Sequence, residues 1–446
     1  MKVLTFSWEY PPNHVGGLGR HVYHLSSALA EAGTDVHVVT PGVREQSSRE
    51  GHGPRVHHIV AYDVSAPDFI SWVLQLNVAL FERAVRAVIE DGPVDVVHAH
   101  DWLVAFAARA FKHAFKVPLV ATIHATEAGR NAGIHNRQQA YISDVEWWLL
   151  YEAWKVICCS EHMKNEVRGV FNVPKDKIMV LPNGVDPDEF SSLQRGAGRN
   201  AFAGQDQRMV FFIGRLVREK GVHVLLEAAK MLIGQGYTIK LVIAGTGPYE
   251  EELKFMAASM GIWSHVYFTG RVSDKVRNNL YRWADAAVCP SLYEPFGIVA
   301  LEAMAAGSGL VASDTGGLSE VITDGTNGLK VRPGDAGALA AAISRLITDK
   351  TLRERIRRGG QETVRQRYLW SGIARATAEL YEDVHREYEA SPWGKSRLYT
   401  SGGDRDAGRY HGWRRRFETP AADLQSAKAD GPGGQPAGDG ARTEPD

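Results

Sequence analysis

The sequence predicts two doubly wound α/β domains with a cleft between them. Short apolar strands alternate with amphipathic helices along most of the chain, a pattern typical of parallel sheets joined by crossover helices. The alternation stops at a segment rich in Gly, Arg and Gln, near residues 194–208, and then begins again. The length of 446 residues also exceeds the usual size of one domain.

The first half contains six apolar runs that we predict to be strands. A glycine-rich turn and the helical pattern GRHVYHLSSALAEAG follow the first of them, and SDVEWWLLYEAW is a second helical pattern. We assign residues 1–190 to the first domain. The six runs are KVLTFSW, DVHVVTP, DVVHAHD, PLVATIHA, KVICCS and KIMVLPNG.

The second half contains five predicted strands, each followed by a helical pattern, and we assign residues 191–369 to the second domain. The later run WSGIARATAELYEDVHREYE is an amphipathic helix, about residues 370–390, with room to return to the first domain. Residues 391–446 are rich in Gly, Asp and Pro, so we expect a disordered tail there. The five strands are MVFFIGR, IKLVIAG, VYFTG, AAVCPS and GLVASD.

Composition excludes several classes of protein. The net charge of −1 provides no attraction to nucleic acid or to an anionic membrane surface. The sequence shows no run of membrane-spanning length and no secretory leader pattern, so we expect no transmembrane segment and a cytoplasmic location. Cys158, Cys159 and Cys289 lie in strand-like runs and are expected to pack in the core.

Ligands of doubly wound sheets bind at the carboxyl ends of the strands, so we searched those positions for chemistry. Gly16, Gly17 and Gly19 open a helix after the first strand, where bare amides favour an anion. Close packing of helix on strand is the alternative explanation for these glycines. Arg215 and Lys220 follow the first strand of the second half and suit phosphate oxygens, unless they form a solvated loop.

Polar side chains also end two strands of the first half. Asp101 ends DVVHAHD and His124 ends VATIHA, and neighbouring strands would bring the two residues together. Such residues can bind a metal, but here the His and Asp side chains look too scattered for a closed set of ligands. We therefore expect a polar rim for a hydroxyl-rich substrate and no metal; a structural role is the other alternative.

The stretch YEPFGIVALEA carries two carboxylates in an otherwise apolar segment. Pro290 and Pro295 prevent a continuous helix, so Glu294 lies on a loop, whereas Glu302 lies in the second turn of the following helix. A charge in an apolar segment needs a partner or a function. An interaction with the helix N-terminus would explain Glu294 but not Glu302.

Taken in order, the motifs resemble those of the retaining glycosyltransferases of family four. The motifs are GGLG, HAHDW, TIH, GRLVREKG, GTGP, FTGRV and EPFGIVALE, and the resemblance covers about residues 1–388. It implies the GT-B fold, with two Rossmann-like domains and a nucleoside-diphosphate sugar held mainly by the second. HAHDW and TIHA look most like the glycogen and starch synthase branch, which implies transfer of a hexosyl unit, most simply glucosyl, to an acceptor sugar or α-glucan.

The resemblance also implies roles for the matching residues. Arg215 and Lys220 would bind the diphosphate and stabilise the leaving group in place of a metal ion. Glu302 would bind the ribose hydroxyls and Glu294 hydroxyls of the transferred sugar, so we expect ligand hydroxyls, not protein cations, as their partners. The other implied contacts are Gly17 to a phosphate, Asp101 and His124 to the donor sugar or acceptor, Arg271 and Val272 to the base, and Phe296, Gly297 and Ile298 around the diphosphate.

This resemblance implies no cofactor and favours ADP-glucose or UDP-glucose as the donor. The lysine that precedes the glycines in ADP-glucose-type bacterial glycogen synthases is absent, and Phe296 replaces the Cys usual in that branch. The donor base therefore stays open. Alternatives are transfer to a small or lipid-linked acceptor, as in sucrose-phosphate synthases or mannosyltransferases, a sugar-nucleotide epimerase of the same fold, and a non-catalytic sugar- or nucleotide-binding module.

Overall fold

The computed structural model describes residues 1–12, 16–62, 64–190 and 198–396. The boundary placed after residue 190, the first residues of the predicted linker and the tail beyond residue 396 lie outside these described residues. The described residues belong to one compact unit, and they form two sheets. The predicted fold class is confirmed, because each sheet is mainly parallel and is covered by helices. The exact domain boundaries stay a prediction.

The first sheet has eight strands in the order β3-β4-β2-β1-β5-β6-β7-β8. All neighbours pair in parallel except β3 and β4, which pair antiparallel. The strands are β1 Lys2–Phe6, β2 Asp35–Pro41, β3 Gln46–Arg49, β4 Arg55–Ile59, β5 Val96–His100, β6 Leu119–Ile123, β7 Lys155–Cys158 and β8 Ile178–Val180.

Six helices connect these strands. Four of them begin after a polar side chain that accepts a backbone N–H of the first turn, namely Asp68, Thr126, Asn136 and Ser160. The helices are α1 Gly17–Glu31, α2 Phe69–Asp91, α3 Ala105–Phe115, α4 Glu127–Arg130, α5 Arg137–Glu152 and α6 Glu161–Phe171.

The second sheet has six parallel strands in the order β11-β10-β9-β12-β13-β14. The strands are β9 Arg208–Ile213, β10 Ile239–Ala244, β11 Val266–Gly270, β12 Ala286–Cys289, β13 Leu310–Ser313 and β14 Leu329–Val331. The helices that follow are α7 Val222–Gly234, α8 Glu250–Ser259, α9 Asp274–Trp283, α10 Ile298–Ala305, α11 Leu318–Val321, α12 Ala336–Thr348, α13 Lys350–Arg367 and α14 Trp370–Ala390.

Three short strands and, in the first half, helices α2, α3, α4 and α6 have no counterpart in the sequence-based assignment. Strand β3 has the sequence QSSR and all of its residues are exposed, so no apolar pattern marks it. Strand β14 has only three residues, and β4 contains two histidines, which also weakens an apolar pattern. The longest of these helices is α2, which buries one face, including Leu76 and Leu80, between the sheet and α3.

Helix α14 packs against α1 and the first sheet. The hydroxyl of Tyr381 lies 2.6 Å from Nδ1 of His98, and the indole N–H of Trp154 donates to Glu387 at 2.9 Å. Tyr381 and Tyr388 are fully buried. The last described helix of the chain therefore covers the sheet built from its beginning.

The strand order of each sheet indicates where a ligand would bind. In the first sheet β1 lies between β2 and β5, and in the second β9 lies between β10 and β12, so the winding direction reverses beside β1 and beside β9. Crevices at such reversals are the usual ligand sites of doubly wound sheets. The loops after β1, β5, β9 and β12 meet there. No helix among the described residues combines the length and the apolar character needed to cross a membrane.

The loop that carries Glu294 is supported by a glycine whose backbone approaches it closely. Gly316 has φ +53°, and a Cβ placed on it would lie 2.0 Å from the carbonyl oxygen of Glu294. The next amide, that of Gly317, donates to the same oxygen at 2.9 Å. No other residue type fits at position 316 without moving the loop.

We predict that Gly316→Ala destabilises the protein more than Gly325→Ala does. Gly325 also has a positive φ, +69°, but a Cβ there would meet nothing within 4 Å. The control substitution therefore costs only the backbone strain, roughly 1–2 kcal/mol, whereas Gly316→Ala adds a collision with the backbone. Urea denaturation measures both free energies of unfolding, and equal losses would contradict the prediction.

Candidate active site

A cavity of about 650 Å³ lies between the carboxyl ends of the two sheets. All twelve residues that the sequence suggested for the site line this one cavity; their individual roles stay predictions. They are Gly17, Asp101, His124, Arg215, Lys220, Arg271, Val272, Glu294, Phe296, Gly297, Ile298 and Glu302. The ring of Phe296 is buried against Tyr368, with ring centroids 6.0 Å apart, so its backbone is the part available to a ligand.

Glu294 has a protein cation as its partner, which corrects the expectation of ligand hydroxyls alone. Nζ of Lys220 donates to Oε2 of Glu294 at 2.8 Å, and the hydroxyl of Ser291 donates to the same oxygen at 3.1 Å. Lys220 follows β9 and Glu294 follows β12, and these strands are neighbours in the sheet. Sequence order separates the two strands, so the sequence alone did not reveal that their loops meet.

Arg215 follows the same strand as Lys220 and lines the same cavity, but it is exposed. Among the described residues, no carboxylate lies within ion-pair distance of its guanidinium. Of the cations that line the cavity, Lys220 is therefore already balanced by Glu294, whereas Arg215 is open to an anionic ligand.

Glu302 is also surrounded by protein groups, a second correction of the same expectation. Its side chain is buried, and the hydroxyl of Tyr281 donates to Oε2 at 2.8 Å. Nε of Arg20 lies 3.6 Å and Nη1 of Arg277 lies 3.9 Å from Oε1. Burial, with the charge of Glu302, raises the pKa of Tyr281 well above its usual value, so this phenol remains a donor.

Arg20 was missed by the sequence analysis, although it connects the two halves of the site. It lies on α1 of the first half, yet Nη1 is 3.0 Å from Asp274 on α9 and Nη2 is 3.3 Å from Glu189. Position 20 is one helical turn after Gly17, so both residues share the face of α1 that meets the cavity. The spacing of three residues from Gly17 could have identified Arg20 from the sequence.

Asp101 and His124 lie together as the sequence suggested. The backbone N–H of His124 donates to Oδ1 of Asp101 at 2.7 Å, and Nη2 of Arg130 lies 3.7 Å from Oδ2. Burial raises the pKa of Asp101 to about 6, against the opposing effect of Arg130. Burial, then Arg130, lowers the pKa of His124 to about 3, so its imidazole is neutral.

The histidines at the carboxyl ends of β5 and β6 are closer together than the sequence suggested. His21, on α1, joins His100 and His124, and one ring nitrogen of each lies within 4.8 Å of the others. The sequence analysis considered only the strand ends and left out His21, which lies on the helix that packs over them. The expectation of no metal at this edge therefore stays a prediction.

Family models match nearly the whole of both halves. Residues 15–189 match the model for Glycosyltransferase Family 4, and residues 199–363 match the model for Glycosyl transferases group 1. The chain is 37% identical over 401 residues to the glycogen synthase of Mycobacterium tuberculosis, covering 85% of this chain and 94% of that one. It is 30% identical to the alpha-maltose-1-phosphate synthase of Mycolicibacterium smegmatis, covering 86% of this chain and 100% of that one.

Solved structures show the same fold at low sequence identity. The sucrose-phosphate synthase of Thermosynechococcus elongatus superposes with a TM-score of 0.75 at 24% identity, covering 88% of this chain and all of that one. The catalytic domain of starch synthase IV from Arabidopsis thaliana, bound to ADP and acarbose, gives a TM-score of 0.68 at 18% identity, covering 86% of this chain and 99% of that one.

Behind the wall that carries Asp101, a second buried carboxyl has a raised pKa. Glu146 on α5 is 1% exposed, and both of its oxygens accept the backbone N–H of Glu127, at 2.9 and 3.1 Å. Burial raises its pKa from 4.5 to about 8, although the amide of Glu127 opposes the shift. The carboxyl is therefore mainly protonated at neutral pH.

We predict that Glu146→Gln flattens the fall of stability with rising pH. The native protein holds this proton more tightly than the unfolded chain, so its contribution is full below about pH 4.5 and is lost as pH rises through about 8. The slope in that window is at most about 1.4 kcal/mol per pH unit. Thermal or urea unfolding from pH 5 to 9 measures it, with the exposed Glu379→Gln on α14 as control; unchanged pH dependence in Glu146→Gln would refute the prediction.

Proposed function

The chain belongs to glycosyltransferase family 4, and from that membership we propose that it transfers a hexosyl unit, most simply glucosyl, with retention of anomeric configuration. The donor is a nucleoside-diphosphate sugar and the acceptor is a sugar or an α-glucan. The enzyme is a glycosyltransferase related to glycogen synthase, maltose-1-phosphate synthase and sucrose-phosphate synthase. The observation that carries the proposal is the meeting of Arg215, Lys220, Glu294 and Glu302 in one cavity.

Two of the cations that line the cavity, Lys220 and Arg215, would stabilise the leaving group. As the bond from the anomeric carbon to the diphosphate breaks, negative charge develops on the phosphate oxygens. Arg215 and Lys220 are positioned to stabilise that charge without a metal ion, and Gly17 offers its backbone amide at the start of α1. A cation already fixed by Glu294 needs little reorganisation when the charge appears.

Glu294 and Glu302 would bind the two other parts of the donor, the transferred sugar and the ribose. Oε1 of Glu294 is left for a sugar hydroxyl, since Lys220 and Ser291 both bind Oε2. Glu302 faces the cavity eight residues later and suits the ribose, with Tyr281 and Arg20 fixing its orientation. We propose that Asp101 and His124 contact the transferred sugar or the acceptor from the opposite wall, with Arg271 and Val272 at the base. Front-face departure and attack on the same side of the sugar would retain its configuration.

A smaller acceptor is the second candidate function. The Mycolicibacterium relative is named for a phosphorylated disaccharide product, and this chain covers its whole length. Arg130 lines the acceptor side of the cavity and is 38% exposed, so it is available to a phosphate on such an acceptor. The names of two other relatives, a starch synthase and a glycogen synthase, support the glucan acceptor to the same degree.

A panel of substrates tests the proposal. Purified protein is incubated with ADP-, UDP- or GDP-sugars and with an α-glucan or a sugar phosphate, and nucleoside diphosphate release is measured. We expect release with at least one pair, and an α-linked product by NMR. Absence of release with every pair would refute the proposal, and preference between the acceptors decides between the two candidates. Conversion of a sugar nucleotide without any acceptor would indicate an epimerase instead.

We predict that Glu294→Gln lowers kcat roughly 100- to 1,000-fold, the range typical for loss of one electrostatic contact at a reacting centre. The amide keeps the shape but no longer balances Lys220, so the cation is less well fixed for the diphosphate. Glu379→Gln, an exposed change of the same chemistry on α14, is the control. Turnover within a few-fold of the native enzyme would remove Glu294 from the mechanism.

We predict that Arg20→Lys raises the donor KM roughly 10-fold, equivalent to about 1.4 kcal/mol, with a smaller change in kcat. Lysine keeps the charge but loses the planar fork that contacts three carboxylates at once. Arg109→Lys, which changes an arginine paired with Glu152 on the first half, is the matched control. A fall in kcat with an unchanged donor KM would show that Arg20 does not act through the ribose site.

A further inference from the structure

Three imidazoles from three different elements meet at the carboxyl edge of the first sheet. His21 comes from α1, His100 ends β5 and His124 follows β6. Nδ1 of His100 and Nε2 of His124 are 3.1 Å apart. The ring centroid of His21 lies 4.7 Å from that of His124 and 5.4 Å from that of His100. We call these residues the three-histidine cluster.

The three rings are in the protonation state that binds metals. Burial lowers the pKa of His21 and of His100 well below the usual value, and it lowers that of His124 to about 3. Each ring is therefore neutral and keeps one lone pair on a nitrogen, the form in which histidine acts as a ligand. His98, although adjacent, is excluded from the set because its nitrogens are bound to Tyr381 and Thr122.

His21 provides the observation that hydrogen bonding within the protein does not explain. It is 4% exposed, yet neither ring nitrogen has a hydrogen-bond partner among the described residues. A contact with the side chain of Asn183 favours the protonated ring of His21, but it does not meet hydrogen-bond geometry, since Oδ1 of Asn183 also lacks a hydrogen-bond partner. Buried polar groups without partners are rare and indicate an ion, a water molecule or a functional role.

We propose that the three-histidine cluster binds a divalent transition-metal ion of the Zn²⁺, Co²⁺ or Ni²⁺ type. Three histidines with an open fourth position are an established zinc arrangement, and imidazole favours these ions over Mg²⁺ or Ca²⁺. Of the three residues, His124 lines the large cavity. The ligand nitrogens, now within 4.8 Å of one another, need only small side-chain rotations to reach coordination distances.

A second group of possible ligands elsewhere does not carry the same inference. His37, His57 and Asp91 also lie close together, but arginine side chains already contact two of these three residues. Nη2 of Arg83 is 2.7 Å from Nδ1 of His57, and Arg55 pairs with Asp91. Two guanidinium groups at that position oppose a metal ion. The cation beside His124 in the three-histidine cluster is Arg130, and it pairs with the carboxylate of Asp101.

The consequence for activity rests on the proposed function. A metal ion bound to His124 would engage the imidazole that we assign to the donor sugar or acceptor. The ion would therefore inhibit transfer reversibly, and a chelator would restore it. Metal binding itself does not depend on turnover, so it is measured separately and remains testable if the proposed transfer fails.

The experiment measures Zn²⁺ binding to the untagged full-length protein by competition with a chromophoric chelator, and the absorption of the Co²⁺ form. We expect one equivalent of Zn²⁺ and the intense visible bands of four-coordinate Co²⁺. His21→Asn and, separately, His100→Asn should each weaken binding at least about 10-fold. His24→Asn, one turn further along α1 and outside the cluster, is the matched control and should bind Zn²⁺ as the native protein does.

Two results would overturn the proposal. One is a Zn²⁺ affinity of the native protein weaker than about 1 mM; the other is binding that neither His21→Asn nor His100→Asn alters. Circular dichroism of each variant shows whether it folds. If both variants fail to fold, the Co²⁺ spectrum of the native protein decides, because weak six-coordinate bands would exclude a site of three imidazoles.

Discussion

The ion pair between Lys220 and Glu294 is the contact on which the rest of the site depends. The side chains are 25% and 9% exposed, so each charge has lost most of its water. Removing one partner from such a pair leaves the other uncompensated, which costs far more than the pair itself contributes. The pair therefore fixes the loops after β9 and β12 relative to each other. Gly316, packed behind the carbonyl of Glu294, fixes the same loop from the other side.

A second charged contact joins the halves of the site. Arg20 reaches from α1 to Asp274 on α9 and to Glu302 on α10. Glu302, which we propose binds the ribose, is therefore oriented by a helix that packs on the first sheet. Formation of the complete donor site then requires that the two halves be together. This gives a physical reason why cleft closure and donor binding would be coupled.

Fold class was accessible from the sequence because it depends on periodicity, and the alternation of strands and helices is strong on both sides of the linker. The residues that line the cavity could also be predicted, since the carboxyl ends of parallel strands lie at one edge of a sheet whatever the strand order. Which of these residues contact each other could not be predicted. Lys220 meets Glu294 only because β12 lies beside β9, and a sequence gives no spatial order of strands. Arg20 and His21 were missed for a related reason, because they lie on a helix whose rotation over the sheet decides which side chains reach the cavity.

The two walls of the cavity differ in charge, and this difference favours the proposed division of labour. The second half contributes Arg215, Lys220, Glu294 and Glu302, whose charges suit a diphosphate and the hydroxyls of a donor. The first half contributes the neutral imidazole of His124 and Asp101, whose pKa burial raises to about 6, together with Arg20, which is paired with carboxylates, and the exposed Arg130. Moving a neutral sugar from water to this wall costs less free energy than moving a charged phosphate there. A phosphate would need a cation as its partner, and Arg130 is the exposed one on this side. Under the proposed function, this wall would take an uncharged glucan directly, and the exposed Arg130 would decide whether it also takes a phosphorylated sugar.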